Sequence, residues 1–180
     1  IESEKALLEA AVASVNGDRS VVLSGSHEAV DRVLSSPLLN KVSKHKLNVK
    51  HAFHSPLTTC MLDSFKISLE KVQMKKPLIC MISTVTGYEI QEDIIHSNYW
   101  LNHIDHTVLF KDAIETSYQL GGRTYIEMGP DSTLSRLSRV IISGISNIEE
   151  INKKSFLVST IDASSDILST KMSDTVTKIK

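Results

Sequence analysis

The chain has 180 residues, 41% of them hydrophobic, enough for one sizeable core or two small ones. Its 20 basic and 21 acidic residues give a net charge of -1, which disfavours a nucleic-acid partner, and no apolar run approaches the roughly 20 residues of a membrane span. Two cysteines, Cys60 and Cys80, without a C-x-x-C spacing point to a reduced, cytoplasmic setting.

Taken in chain order, Glu2 to Ala10 reads as a short amphipathic helix, not a signal peptide. Ala11 to Val15 reads as a strand and Ser20 to Ser24 as its return. "NGDR" (Asn16 to Arg19) is the turn, because Asn-Gly tolerates positive φ. Ser26 can cap a helix with Glu28 in its first turn and Ala29, Val30, Val33 and Leu34 on its apolar face. Lys46 to Phe53 reads as the next strand. The order α-β-β-α-β is that of a βαββαβ ferredoxin-like module lacking its first strand.

The character then changes. Ser55 can cap a helix with Pro56 at its first position, where the missing N–H costs nothing. Leu57, Met61, Phe65, Leu69 and Val72 follow at spacings of four and three, one buried stripe on a helix ending before Pro77. Leu78 to Thr84 reads as a strand buried on both faces. "TGYE" turns the chain, and "SNYWLNHI" reads as a short helix. Phe110, Ala113, Ile114, Ser117 and Leu120 mark a helix stopped by Gly121 and Gly122. Thr124 to Met128 reads as a strand, and Leu134, Leu137 and Ile141 mark a helix. Asn147 to Lys154 is a polar connector, and Ser155 to Ile161 reads as a last strand. The alternation from residue 51 onward predicts a parallel sheet covered by helices.

The candidate chemistry centres on "NVKHAFHSPL", Asn48 to Leu57. A metal pair, a catalytic base and two ordinary histidines all fit His51 and His54. On a strand an H-x-x-H pair points to opposite faces, and no carboxylate or cysteine completes a ligand set, so no metal is expected. Cys60 falls on a helix flank and Cys80 within an apolar strand, which makes a cysteine nucleophile a poor reading. His54 precedes a capped helix start, beside its partial positive charge, and a general base needs the neutral ring. Equally, it can pack against the helix entry and bond a carbonyl.

Six blocks occur in order: "SVNGDRSVVLSG", "HAFHSPL", "STVTG", "NYWLNHI", "VLFKDAI" and "YIEMGPDSTL". Together they resemble the second half of the acyltransferase domain of polyketide synthases and type I fatty acid synthases. The bacterial malonyl-CoA:acyl-carrier-protein transacylase is a more distant relative. The resemblance covers roughly Ala6 to Ile161. It implies an α/β fold: a partial α/β-hydrolase-like large subdomain (51–180) with an inserted, partial ferredoxin-like small subdomain (1–50).

The implied reaction is ping-pong transfer of a malonyl extender unit. It passes from coenzyme A through an acyl-serine to the phosphopantetheine thiol of an acyl carrier protein. No bound cofactor is implied: malonyl-CoA is substrate, and the partner carries the phosphopantetheine. A neighbouring ketosynthase domain of a larger synthase is the other implied partner. By motif match His54 is the base. His51 and Phe53 belong to the H-A-F-H variant associated with malonyl selection. The bulk of Phe53 can crowd an α-methyl branch, a difference worth ~1–3 kcal/mol.

His103 stands where relatives use a backbone carbonyl to orient the imidazole. Thr107 replaces a common proline. His27, His45, His96 and His106 match no role. No G-x-S-x-G occurs. The serine elbow, the oxyanion-hole glutamine and the carboxylate-binding arginine are therefore expected upstream of residue 1, and the chain alone is expected to be inactive. The alternative is a non-catalytic remnant serving as scaffold or carrier-docking module.

Overall fold

The computed structural model describes residues 10–129 and 131–146. The expected helix at Glu2, the connector from Asn147 and the strand from Ser155 lie outside the described residues. The chain divides into two compact units between Ala113 and Ile114.

The first unit opens with an antiparallel hairpin, β1 (Ala10–Gly17) and β2 (Ser20–Gly25). Its loop is Asp18-Arg19, not Asn16-Gly17, which belong to β1. Neither loop residue adopts positive φ. A two-residue loop with ordinary φ would splay twisted strands. Register shifts between Val15 and Gly17, and between Val12 and Ser14, are the irregularities that accompany it. Lys111 bonds Asp18 at 2.8 Å and so ties down the loop.

Helix α1 (His27–Leu34) begins as expected: the Ser26 hydroxyl accepts from the Ala29 N–H at 3.3 Å, and Ala29 is buried. The predicted strand Lys46 to Phe53 does not form; residues 46–53 are irregular and mostly exposed. Pro56–Thr58 makes a 3₁₀ turn capped by Ser55, whose hydroxyl accepts from the Leu57 N–H. It leads into α2 (Thr59–Leu69). The predicted stripe is buried only in part. Leu69 is buried, but Leu57, Met61 and Val72 are exposed. Helix α2 packs against α3 (Ser97–Asp105).

The strand expected over Leu78 to Thr84 shrinks to β3 (Met81–Ile82), antiparallel to β4 (Glu89–Ile90). Leu78 is 101% exposed and Ile79 83%, against the expectation of burial on both faces. Thr124 to Met128 forms no strand. A strand exists only where a neighbour takes its hydrogen bonds. Among the described residues the sheets are these two hairpins, so neither Leu78 to Cys80 nor Thr124 to Met128 has such a neighbour. The predicted parallel sheet is accordingly reduced to one parallel bridge, Ser14 to Val108.

Helix α4 (Phe110–Gln119) runs across the boundary between the units. It ends as predicted. Gly121 sits at φ 96°, its N–H donates to the Tyr118 carbonyl and that of Gly122 to the Ser117 carbonyl, a Schellman ending. The Arg123 guanidinium donates to the Tyr118 carbonyl at 2.7 Å and lies 4.1 Å over the Tyr118 ring. In the second unit α5 (Thr133–Ile145) buries Ser135, Ser138, Ile141 and Ile142, while Leu134 is exposed. Glu127 caps it, accepting from the N–H groups of Leu134 and Ser135 and from the Ser135 hydroxyl.

Candidate active site

The site grows from the junction at His54. Its φ is 57°, the one positive value outside glycine among the described residues. A left-handed residue costs about 1–2 kcal/mol, and such strain concentrates at functional sites. Two bonds to the end of α3 hold it there. The His54 N–H donates to the Ile104 carbonyl at 3.2 Å, and the ring Nδ1 lies 2.9 Å from the His106 carbonyl. A carbonyl only accepts, so Nδ1 carries the proton of the neutral ring. That leaves Nε2 as an acceptor. The residue is half-buried.

Behind His54, Ser55 is almost wholly buried, and its hydroxyl donates to the Ala52 carbonyl at 2.6 Å. The Thr58 hydroxyl donates to the Ser55 carbonyl and reaches Asp105 at 3.3 Å, tying the helix entry to the end of α3. His51 and Phe53 meet edge to face at 5.8 Å, with Phe53 48% exposed. They stand within three residues of His54 and are presented to solvent. The strand argument for opposite faces falls with the strand. Among the described residues no cluster of three His, Cys, Asp or Glu side chains is placed to hold a metal.

His103 stands elsewhere than its expected task. The carbonyl that meets the His54 ring is that of His106, three residues on, where the chain has left α3 and turned extended. The His103 ring instead lies against Tyr99 and Trp100, 6.1 Å from each centroid. His106 acts through its main chain, and no side-chain signal in a sequence marks such a role.

Three of the six blocks converge on the segment after His106. Val108 exchanges backbone bonds with β1, its N–H donating to Ala13 at 2.8 Å and its carbonyl accepting from Val15 at 2.9 Å. The Leu109 N–H donates to Thr84 of "STVTG" at 2.7 Å. That loop is itself pinned. Buried Ser83 bonds the Tyr99 hydroxyl at 2.9 Å, and Gly87, at φ 80°, bonds the Ser83 carbonyl.

Both cysteines are free and exposed. Cys80 is exposed, not buried as its apolar run suggested. Loss of hydration, and then the neighbouring Glu89 carboxylate, push its thiol up, so it stays protonated at neutral pH. A charge pattern not apparent in the net charge also borders the site. Arg32 to Leu62 contains Arg32, Lys41, Lys44, Lys46 and Lys50 and no acidic residue. Residues 41–51 are all exposed, and among the described ion pairs none involves Lys41, Lys46 or Lys50.

The described residues thus combine helices and short strands with an imidazole whose Nδ1 rests on one main-chain carbonyl. Comparison with known proteins supplies the family. The model of the acyl transferase domain matches residues 5–173, and the chain belongs to that family. It is 36% identical over 155 residues to polyketide synthase GfsA of Streptomyces halstedii, which covers 86% of this chain and 2% of that protein. It is 37% identical over 126 residues to the mycoketide-CoA synthase of Mycobacterium tuberculosis, 70% of this chain and 3% of that one.

Among solved structures, the acyltransferase domain from the second module of the salinomycin polyketide synthase superposes with a TM-score of 0.77 at 28% identity. The match covers 96% of this chain and 39% of that one. The malonyl-CoA:acyl carrier protein transacylase of Xanthomonas oryzae shares the fold, with a TM-score of 0.68 at 21% identity over 74% of this chain and 43% of that one. The chain thus spans a small part of the curated relatives and under half of these solved chains. No helix among the described residues is long and apolar enough to cross a membrane.

Proposed function

We propose that this chain supplies the base of a malonyl-selective acyltransferase in a polyketide or fatty acid synthase. The observation that carries the reading is His54 itself: Nδ1–H fixed on a carbonyl, Nε2 left as an acceptor. No G-x-S-x-G occurs in the 180 residues, so the nucleophile is supplied by polypeptide outside them. Nε2 takes the serine proton as the serine oxygen attacks the malonyl thioester carbonyl. The coenzyme A sulfur leaves and takes that proton from the imidazolium. The phosphopantetheine thiol of an acyl carrier protein then gives its proton to Nε2 and attacks the acyl-serine ester, and the proton returns to the serine oxygen.

His51 and Phe53 flank the extender pocket in this reading. The division into a small subdomain (1–50) and a large one (51–180) belongs to the same proposal, as do a ketosynthase neighbour and a cytoplasmic setting. The acid-free stretch with exposed Lys41, Lys46 and Lys50 suits substrates whose handles, coenzyme A and phosphopantetheine, both carry phosphate.

The test is incubation of the full-length protein with labelled malonyl-CoA or methylmalonyl-CoA and a carrier protein. Malonyl transfer in excess of methylmalonyl is expected. Equal transfer removes the selectivity, and no acyl-enzyme with either supports the competing reading of a non-catalytic docking module.

A further inference from the structure

We propose that Thr107 is a positioning residue for His54, acting through the carbonyl of His106. The inference rests on the reading of His54 as the base. The His106 carbonyl belongs to the peptide between His106 and Thr107, and that peptide sits between two anchors. On one side the His106 N–H closes α3 on the Asn102 carbonyl at 2.8 Å. On the other the chain is fastened to the edge of β1. The Thr107 hydroxyl donates to the Val12 carbonyl at 2.7 Å, and Val108 makes its two backbone bonds to Ala13 and Val15. The Ser14 hydroxyl adds a 3.3 Å bond to the Val108 carbonyl.

β1 pairs with β2 along one edge only, so its other edge is open to the segment after His106. Val12 pairs with Leu23 and Ser14 with Val22, so Ala13 has no partner on β2. The Ala13 carbonyl and the Val15 N–H lie on that outer edge and meet the Val108 N–H and carbonyl. The hairpin is thereby coupled to the base: the outer edge of β1 receives the segment whose carbonyl lies on the imidazole. Within this clamp the backbone bonds are independent of side-chain identity. Of its two side-chain contacts, that of Thr107 is the shorter, and Thr107 contributes the orienting peptide's own nitrogen.

The hydroxyl, not the side-chain bulk, is therefore the feature to remove. Thr107→Val keeps the shape and deletes the donor, while Thr107→Ser keeps the donor. In the full-length protein, Thr107→Val is expected to lower kcat for malonyl transfer on the order of 10-fold with KM for malonyl-CoA within about twofold, because misplacing a reacting group costs rate more than binding. Thr107→Ser is expected to stay within about threefold of the parent kcat, in keeping with the retained donor.

An unchanged kcat in Thr107→Val overturns the proposal. So does a rise in KM that accounts for the whole loss, or a Thr107→Ser variant as impaired as Thr107→Val. Should Thr107→Val lose the parent's cooperative melt, the same comparison is read between Thr107→Ala and Thr107→Ser. His54→Ala run alongside separates the two levels. If it leaves transfer intact, the base assignment itself fails; if it abolishes transfer while Thr107→Val is unaffected, the clamp alone fails.

Discussion

Replacing Gly87 with alanine isolates one contact of the framework behind His54. Gly87 has φ 80°, where a side chain costs about 1–2 kcal/mol. Its added Cβ would also stand 2.7 Å from the Asp112 Cβ in α4, inside the distance real Cβ atoms keep. Both atoms sit on or beside backbone, so relief requires the "STVTG" loop or the helix to move. Overpacking of this kind costs about 1–3 kcal/mol more. The sum is roughly 2–5 kcal/mol, or a fall in Tm of about 5–15 °C for a domain of this size.

The built-in comparison is Gly121→Ala. Gly121 has φ 96° with open space around the added atom, so its loss is expected to stay near the backbone cost of about 1–2 kcal/mol. Thermal melts of both variants against the parent decide it. Equal losses would refute the reasoning, since the Asp112 overlap would then contribute nothing. The loop also accepts the Leu109 N–H on Thr84, so Gly87→Ala is expected to reduce transfer activity as well, and Gly121→Ala to reduce it less.

Glu127 sets an acid limit on the second unit. Partial burial pushes its carboxyl up, but the Ser135 hydroxyl and the N–H groups of Ser135 and Leu134 outweigh this and hold it below the ordinary 4.5. A depressed carboxylate stabilises fully above its unfolded value and loses that contribution as pH falls through the folded one. Glu127→Gln is therefore expected to be less stable at pH 7 and to show a weaker loss between pH 5 and pH 3 (on the order of the usual carboxylate window) in acid titrations followed by circular dichroism. Phe53→Ser is expected to shift the methylmalonyl-to-malonyl transfer ratio upward by about 5- to 150-fold, the equivalent of ~1–3 kcal/mol for one methyl. An unchanged ratio removes Phe53 from selection. Ser26→Ala is expected to destabilise by about 0.5–2 kcal/mol in urea unfolding through loss of the α1 cap.

Local chemistry was legible in the sequence where the cause is local. Ser26 and Ser55 cap the helices they precede, Pro56 opens its turn, and Gly121 with Gly122 closes α4, because each depends on a few neighbouring residues. The hairpin was legible from its two apolar runs, but its loop fell two residues late. The Asn16-Gly17 preference yielded to a bulged register. The strands around Ile79 and Ile126 were illegible for another reason: strand character is a property of a pair, and no described strand lies beside either. Around the site, His54 stood out because an imidazole is a residue type that can serve as a base. The His106 carbonyl 2.9 Å from the ring did not, since a main-chain group has no residue type; the family pattern led to His103, three residues earlier and still within α3.

The most direct test of the account is acyl transfer by His54→Ala in the full-length protein, followed by mass spectrometry of the intact acyl-enzyme and of the carrier protein. With the cooperative melt retained, neither species should accumulate with malonyl-CoA above the rate of a chain lacking the base, a loss on the order of 10²–10⁴-fold. Acylation of the carrier at the parent rate would show that His54 is not the base, and that its strained backbone and fixed ring serve only the fold.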